Sequence, residues 1–306
     1  MKKIKIATRN SMLAIWQAEH VKEQLKENHS DIEIELLRIK TEGDRFLDSP
    51  LFNIGGKGLF IKELEEALLS KDADIAVHSM KDVVIDLPEG LEIAAIMRRE
   101  DSRDVLISNK FNTIKKISSN SIIGTSSLRR QSQLRNIDSN IQLKDLRGNV
   151  ETRIRKLDDG EYDAIILAAA GIIRLGLKKR ITELVPYLDI LPAIGQGAIG
   201  IECRSDDIKT KNLITPLGDK NTTLCVLTER EFSRRLNGGC QLPIAAHATI
   251  ESNQITLDGL VAKLDGSQVI RSSQKGNFED AEKIGSSLAE SLIERGADVI
   301  LKNFIN

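Results

Sequence analysis

The chain has 306 residues, with 44 Lys and Arg against 45 Asp and Glu, a net charge of −1, 41% hydrophobic and 3% aromatic residues. That length allows two or three domains with cores of ordinary size, and the composition is globular, neither disordered nor membrane-like. Three widely spaced cysteines and four scattered histidines, with no CxxC or HExxH, exclude a disulfide scaffold and a structural zinc site.

Met1 to Ile6 alternates like a strand and lacks the apolar run of a secretory signal, so a cytoplasmic protein is expected. The strand Lys3–Ala7 runs into Thr8-Arg9-Asn10-Ser11, then a helix with Ala14, Ala18, Val21 and Leu25 on one face. Ile54-Gly55-Gly56-Lys57-Gly58-Leu59-Phe60 precedes a second helix. It matches neither the Walker nor the Rossmann glycine pattern and reads as a mobile loop bearing one cation. Strands follow at Asp74–His78, ending in Ser79-Met80-Lys81-Asp82, and at Ser121–Gly124, ending in Thr125-Ser126-Ser127 before a helix that opens Leu128-Arg129-Arg130. Ile141–Leu146 feeds Arg147-Gly148-Asn149 and a helix to about Asp158, with Gly160 placed to end it. Tyr162–Ala168 is a continuous apolar strand of the kind buried on both faces of a parallel sheet. The longest nearly apolar stretch, Ala164–Ile173, is about half of a membrane span.

Leu191 to Gly197 reads as a linker, and Ala198–Cys203 as a strand returning to the first sheet. After Pro216 the pattern changes to a helix (about Thr222–Leu236), alternating strands at His247–Glu251, Gln254–Leu264 and Gln268–Ser273, and a last helix near Glu279–Arg295. Alternating strands and helices followed by an antiparallel tail predict three domains: 1–98 with 198–216, 99–197, and 217–306. No coiled-coil heptads or evident apolar stripe are present, which predicts a monomer.

The charge is unevenly spread. Residues 98–180 hold 11 Arg and 7 Lys against 10 acids, a net +8 that leaves −9 for the remainder. A solvated basic face and a nucleic-acid site both fit a cationic segment. Single-strand binders need stacking platforms, however, and this segment offers only Phe111 and Tyr162. Its richness in arginine, which grips planar anions through paired hydrogen bonds, points to a small polyanion. In open α/β sheets ligands sit at the carboxyl ends of strands. Arg9, Ser11, Lys81, Asp82, Thr125 to Arg130 and Arg147 all fall there, near helix N-termini that favour anions. Asp82 is the acid best placed for chemistry, against the plainer reading of a cap or ion-pair residue. His78 reads as a hydrogen-bonded core residue. Cys203 and Cys225 lie in apolar elements and read as inert, whereas Cys240, in Gly238-Gly239-Cys240-Gln241, lies on a loop just after Arg230, Arg234 and Arg235.

Together these motifs resemble those of the porphobilinogen deaminase family. The carrying residues are Thr8–Ser11, Gly55–Phe60, Ala76–Asp82, Gly124–Gln131, Leu146–Val150, Tyr162–Ala168, Leu191–Glu202 and Gly238–Gln241. They run in family order along essentially the whole chain. Val84 and Ser102 stand where the family usually has proline, at loop positions where losing the ring removes no functional group. The resemblance implies two periplasmic-binding-protein-like (type II) α/β domains plus a C-terminal α+β domain with a small antiparallel sheet. It also implies condensation of four porphobilinogen molecules, with loss of ammonia, into the linear tetrapyrrole hydroxymethylbilane. A dipyrromethane cofactor held by Cys240 through a thioether would prime the reaction. By the same carry-over Asp82 is catalytic, and Lys81, Thr125, Ser127, Arg129, Arg130, Arg147 and Gly148 contact the cofactor. Arg9, Ser11, Arg99, Arg147, Arg153, Arg174 and Gln196 would bind substrate, and Lys57 and Phe60 belong to a loop over the cleft. No metal, nucleic acid or membrane is expected to take part. Two competing readings are a solute-binding module, which needs no reactive thiol, and a phosphoribosyltransferase-like enzyme. Leu157-Asp158-Asp159-Gly160 lacks the preceding apolar strand and the following Thr-rich loop of the latter.

Overall fold

Strands that are apolar on both faces need helices on both sides, and this requirement organises the first two thirds of the chain. The computed structural model describes residues 2–45, 58, 60–239, 241–302 and 304, with Lys2 and Arg45 as backbone only. The chain starts with β1 (Lys2–Arg9), α1 (Met12–Asn28), β2 (Ile32–Ile39), α2 (Glu42–Arg45), α3 (Lys62–Leu69), β3 (Ile75–Ser79) and β4 (Leu91–Ile96). It crosses into β5 (Asp104–Ser108), β6 (Ile122–Gly124), α4 (Leu128–Ile137), β7 (Gln142–Lys144), α5 (Val150–Asp158), β8 (Ala164–Ala168), α6 (Ala169–Arg174) and β9 (Glu183–Leu184). It then returns as β10 (Ile199–Arg204), followed by α7 (Ile208–Ile214).

The two lobes have matching sheets, ordered β2-β1-β3-β10-β4 and β7-β6-β8-β5-β9. In the first, α1 buries Ala18, Val21 and Leu25 against Ile4, Ile6 and Val77, while α3 covers Ala7 and Ala76 with Leu64 and Leu68. In the second, Ile165 and Leu167 of β8 pack with Ile154 and Leu157 of α5, and Ile166 packs with Leu134 of α4. These are two α/β units with the same arrangement of strands. The expectation of an all-parallel environment for the Tyr162–Ala168 strand is corrected: β8 runs parallel to β6 but antiparallel to β5. β10 is likewise antiparallel to both of its neighbours. The cause is connectivity, since each lobe receives one strand directly from a chain crossing rather than through a helical crossover. Strands β2, β4, β5 and β9 have no counterpart in the sequence reading.

The remainder is α8 (Lys220–Arg235), β11 (Ile244–Glu251), β12 (Gln254–Ala262), β13 (Val269–Asn277), α9 (Ala281–Glu294) and α10 (Ala297–Lys302). The three strands form an antiparallel sheet, and Phe232 of α8, Leu236 just after it, and Ile284, Leu288 and Leu292 of α9 form one core with Ile255 and Leu257. Among the described residues no helix is long and apolar enough to cross a membrane.

The two crossings between lobes are tied to α8. Arg99 donates from Nη1 and Nη2 to Glu229 at 2.6 and 3.1 Å and from Nε to the Gln196 carbonyl at 2.7 Å. Gly195 N–H donates to the other Glu229 oxygen at 2.7 Å, and Ala248 N–H to the first at 2.8 Å. Burial alone would raise the Glu229 carboxyl, but Arg99, helped by His247, brings it down to about 2. Gly195 has φ +70°, and a Cβ there would lie 2.9 Å from Met80 Cβ. Gly195→Ala should therefore lower stability by about 1–3 kcal/mol in urea unfolding, from overpacking and a strained left-handed backbone; an unchanged midpoint would show that the crossing is not sterically confined.

Candidate active site

Several of the predicted site residues converge between the lobes. A cavity of about 80 Å³ is lined by Gln17, Ser79 and Lys81 from the first lobe, Arg130, Arg153 and Arg174 from the second, and Gln196 from the second crossing. β3 presents Ser79 at its carboxyl end, where the Ser79 hydroxyl accepts from Gln17 Nε2 at 2.9 Å. The chain then makes a 3₁₀ turn, Met80–Asp82, which buries Met80 and leaves Lys81 and Asp82 partly exposed. Asp82 ends that turn rather than capping a helix, and its carboxylate makes no hydrogen bond with any described residue. It lies close enough to Lys81 and Arg153 to favour their charged forms.

Beneath the second-lobe wall sits Asp104, fully buried at the start of β5. Arg129 Nη1 donates to one carboxylate oxygen at 2.8 Å, Arg130 Nη2 and Gln196 Nε2 to the other at 2.7 and 2.9 Å. Burial opposes ionisation of Asp104, but the two guanidinium groups hold its carboxyl well below the usual range. One carboxylate thus serves two buried cations, and the Nε atoms of Arg129 and Arg130 remain without a hydrogen-bond partner. Arg153 donates from Nε to the Gly148 carbonyl at 2.7 Å. Burial, reinforced by Arg130 and Arg147, lowers its pKa to about 10. Arg174 donates to the Gly197 carbonyl and lies over the Trp16 ring; burial brings it also to about 10, against the pull of Glu100. Lys81 is lowered chiefly by burial and, among its charged neighbours, by Arg130 and Arg153, with Asp82 opposing. Such a desolvated excess of positive charge suits a small anion that can share its charge with several guanidinium groups.

Other predicted residues are placed differently. Ser11 caps α1, accepting from Ala14 N–H at 3.3 Å. Arg9 pairs with Asp44 and lies 4.3 Å over the Phe60 ring. Arg99 is turned to Glu229 and is not brought to the cavity, because the buried carboxylate of α8 takes both of its Nη groups. Arg129 donates to Asp104 and to the Leu191 carbonyl, behind Arg130. Thr125 is buried, and its hydroxyl accepts from the N–H of Ser127, the residue that opens α4. Arg147 is half-buried, which lowers its pKa, and precedes Gly148, at φ +112°. Lys57 and Cys240 lie outside the described residues. Cys203 and Cys225 are buried, and burial, with Glu92 and Glu229 respectively, pushes each thiol up to about 12.

The sequence reading missed Gln17 and Asp104. Gln17 sits on the buried face of α1 between Ala14 and Ala18, where an apolar residue would otherwise stand, and that polar interruption was the available signal. Asp104 opens an apolar strand, and only folding brings it to the arginines of α4.

His78 is a core residue, as expected, with Nε2 2.8 Å from Glu202. Behind it lies Glu65, whose carboxyl is pushed up to about 7 by burial and by the Glu202 charge.

The two-lobed α/β fold thus gathers Lys81, Arg130, Arg153 and Arg174 around one cavity between its lobes. Residues 4–212 match the family described as porphobilinogen deaminase, dipyromethane cofactor binding domain, and residues 223–294 match porphobilinogen deaminase, C-terminal domain. Among solved structures the chain is similar to a putative methionine-binding lipoprotein from Bacillus subtilis, at 17% identity over 72% of this chain and 92% of that one, with a TM-score of 0.43. It is also similar to the methionine binding protein MetQ, at 15% identity over 70% and 89%, with a TM-score of 0.45. A periplasmic substrate-binding protein of an ABC transporter from Coxiella burnetii is similar at 14% identity over 72% and 94%, with a TM-score of 0.42.

The chain belongs to the porphobilinogen deaminase family. Its activity is that of a hydroxymethylbilane synthase of tetrapyrrole biosynthesis: four porphobilinogen molecules are joined head to tail, with loss of ammonia, on a dipyrromethane primer.

Asp104→Asn should cost about 3–5 kcal/mol in urea unfolding, since two buried guanidinium groups lose their shared counter-charge; a wild-type midpoint would mean that they find other acceptors. Glu65 keeps its proton in the folded state up to about pH 7, whereas the unfolded chain releases it near the ordinary glutamate value of 4.5. Folding therefore takes up a proton, so this group lowers stability as pH rises from about 4.5 to 7 and no further above that. Glu65→Gln should flatten the fall in melting temperature between pH 5 and 7, and an unaltered slope would contradict the assignment.

Proposed function

We propose that Asp82 is the catalytic acid–base of this synthase and that Cys240 carries the dipyrromethane through a thioether. The observation that carries the reading is the concentration of desolvated cations, Lys81, Arg130, Arg153 and Arg174, around one small cavity beside the Asp82 carboxylate. Of the three cysteines, two are buried with thiols near pKa 12, which supports Cys240 as the anchor. Lys81, Thr125, Ser127, Arg129, Arg130, Arg147 and Gly148 form the cofactor side of the site. Arg9, Ser11, Arg153, Arg174 and Gln196 serve the substrate, Arg147 bridges both, and Lys57 and Phe60 are assigned to the active-site loop by the family resemblance.

The dipyrromethane, when bound, supplies the nucleophilic pyrrole α-carbon to which the first unit is joined. The arginines pair with acetate and propionate groups, which orients each ring and lets the partly neutralised cleft exclude water. Asp82 accepts a hydrogen bond from a pyrrole N–H and offsets the positive charge that develops on the substrate as ammonia departs. It then takes the proton released when the carbon–carbon bond forms. One carboxylate suffices for every cycle because each cycle develops the same charge at the same place.

Three domains, 1–98 with 198–216, 99–197 and 217–306, belong to the same proposal, supported by the two crossings and the separate third core. Burial of the arginines in a cavity, away from an open stripe, speaks for a small anion and against nucleic acid as the partner. A cytoplasmic monomer completes the proposal.

Intact-protein mass spectrometry should find two linked pyrrole units above the sequence mass, lost in Cys240→Ser; an unmodified yet active protein would refute the anchor. Asp82→Ala should keep its fold by circular dichroism and lose turnover by about 10²–10⁴-fold. A wild-type rate would demote Asp82 to a structural residue.

A further inference from the structure

We propose that Arg230 is a positioning residue for Asp82, holding the carboxylate's turn fixed against the third core. The inference rests on the assignment of Asp82 made above. Arg230 lies towards the end of α8, 7% exposed. Its guanidinium leaves the third core and crosses to the first lobe. There Nη1 donates to the Val83 carbonyl at 3.2 Å, and Nη2 to the carbonyls of Val84 and Ile85 at 2.6 and 3.0 Å. These three residues follow Asp82 directly and belong to no helix or strand, so no ladder otherwise organises their carbonyls.

The preceding residue of α8 secures the opposite side of the same segment. Glu229 accepts from Gly195 N–H, and Gly195 is packed so closely on Met80 that even a Cβ would stand only 2.9 Å from it. Consecutive residues 229 and 230 therefore bracket the segment from Met80 to Ile85 with Asp82 between them.

The chemistry requires arginine here. A planar fork of fixed donors can reach three successive carbonyls at once, whereas a lysine offers a single compact head on a flexible stem. Hydrogen bonds from a charged donor are also stronger than neutral ones. Catalytic groups must be held within about half an ångström of their productive geometry, so loosening a turn that bears the acid is felt in the rate.

Arg230→Lys and Arg230→Gln test this in the loaded enzyme. Turnover should fall roughly 10–100-fold, the scale of a 1 Å misplacement, while KM changes by less than about two-fold, because no substrate contact is removed. The intact mass should still show the two-pyrrole increment. In substrate-free protein, hydrogen exchange of residues 81–86 should accelerate while exchange within α8 stays at the wild-type level. Wild-type turnover in both variants, unchanged exchange in 81–86, or a rate loss matched by an equal loss of folded protein would each overturn the proposal. Asp82→Ala in the same assay separates the two levels. If it is inactive while both Arg230 variants turn over normally, only the positioning role fails. If Asp82→Ala turns over normally, the catalytic reading fails and takes this inference with it.

Discussion

More guanidinium than carboxylate is buried where the two lobes meet, and that imbalance is the constraint on which the site depends. Asp104 is shared by Arg129 and Arg130, and Arg153 and Arg174 find main-chain carbonyls rather than acids. Carbonyls orient a guanidinium without cancelling its charge. The cleft therefore stays electropositive in a desolvated setting, where an arriving carboxylate interacts far more strongly than it would at the surface. The lowered values of Arg153 and Arg174 express the same unrelieved desolvation. A ligand carrying an acetate and a propionate on every ring relieves it.

Holding such a site demands rigid surroundings, which the third core supplies. Helix α8 reaches both crossings through Glu229 and the Asp82 segment through Arg230, while Gly266 at the β12–β13 turn accepts from Asn136 at the end of α4. The C-terminal unit thus touches the first lobe, the hinge and the helix that carries Arg129 and Arg130. A sheet that might have been only a carrier for a cysteine loop is also the frame to which the cleft is referenced.

Local signals located β1, β3, β8 and β10, the helical face of α1, the extent of α8 and the loops at strand ends, because each is written in residues close together in the chain. Cysteine chemistry was legible for the same reason: Cys203 and Cys225 sit in apolar elements, and both are buried. The direction of β5 and β10 was not legible, since strand polarity depends on which lobe a crossing enters. Nor could sequence distinguish the arginines. Arg99 and Arg153 look alike as residues, yet one faces Glu229 from 130 positions away and the other donates to a main-chain carbonyl and forms no ion pair with an acid among the described residues.

The sequence by itself determined the inventory of charged and reactive residues: a cationic middle, an aspartate after a buried strand, one cysteine that follows two glycines in the sequence, and the family to which such motifs belong. Only the tertiary structure decided which cations remain available to a ligand. That choice depends on partners such as Asp104, Glu229 and Asp44, which lie 25 to 130 residues away and are brought to their arginines by sheet order and lobe packing. A charge has the same formal value at every position in a sequence; its electrostatic effect is set by what folding places within a few ångströms of it.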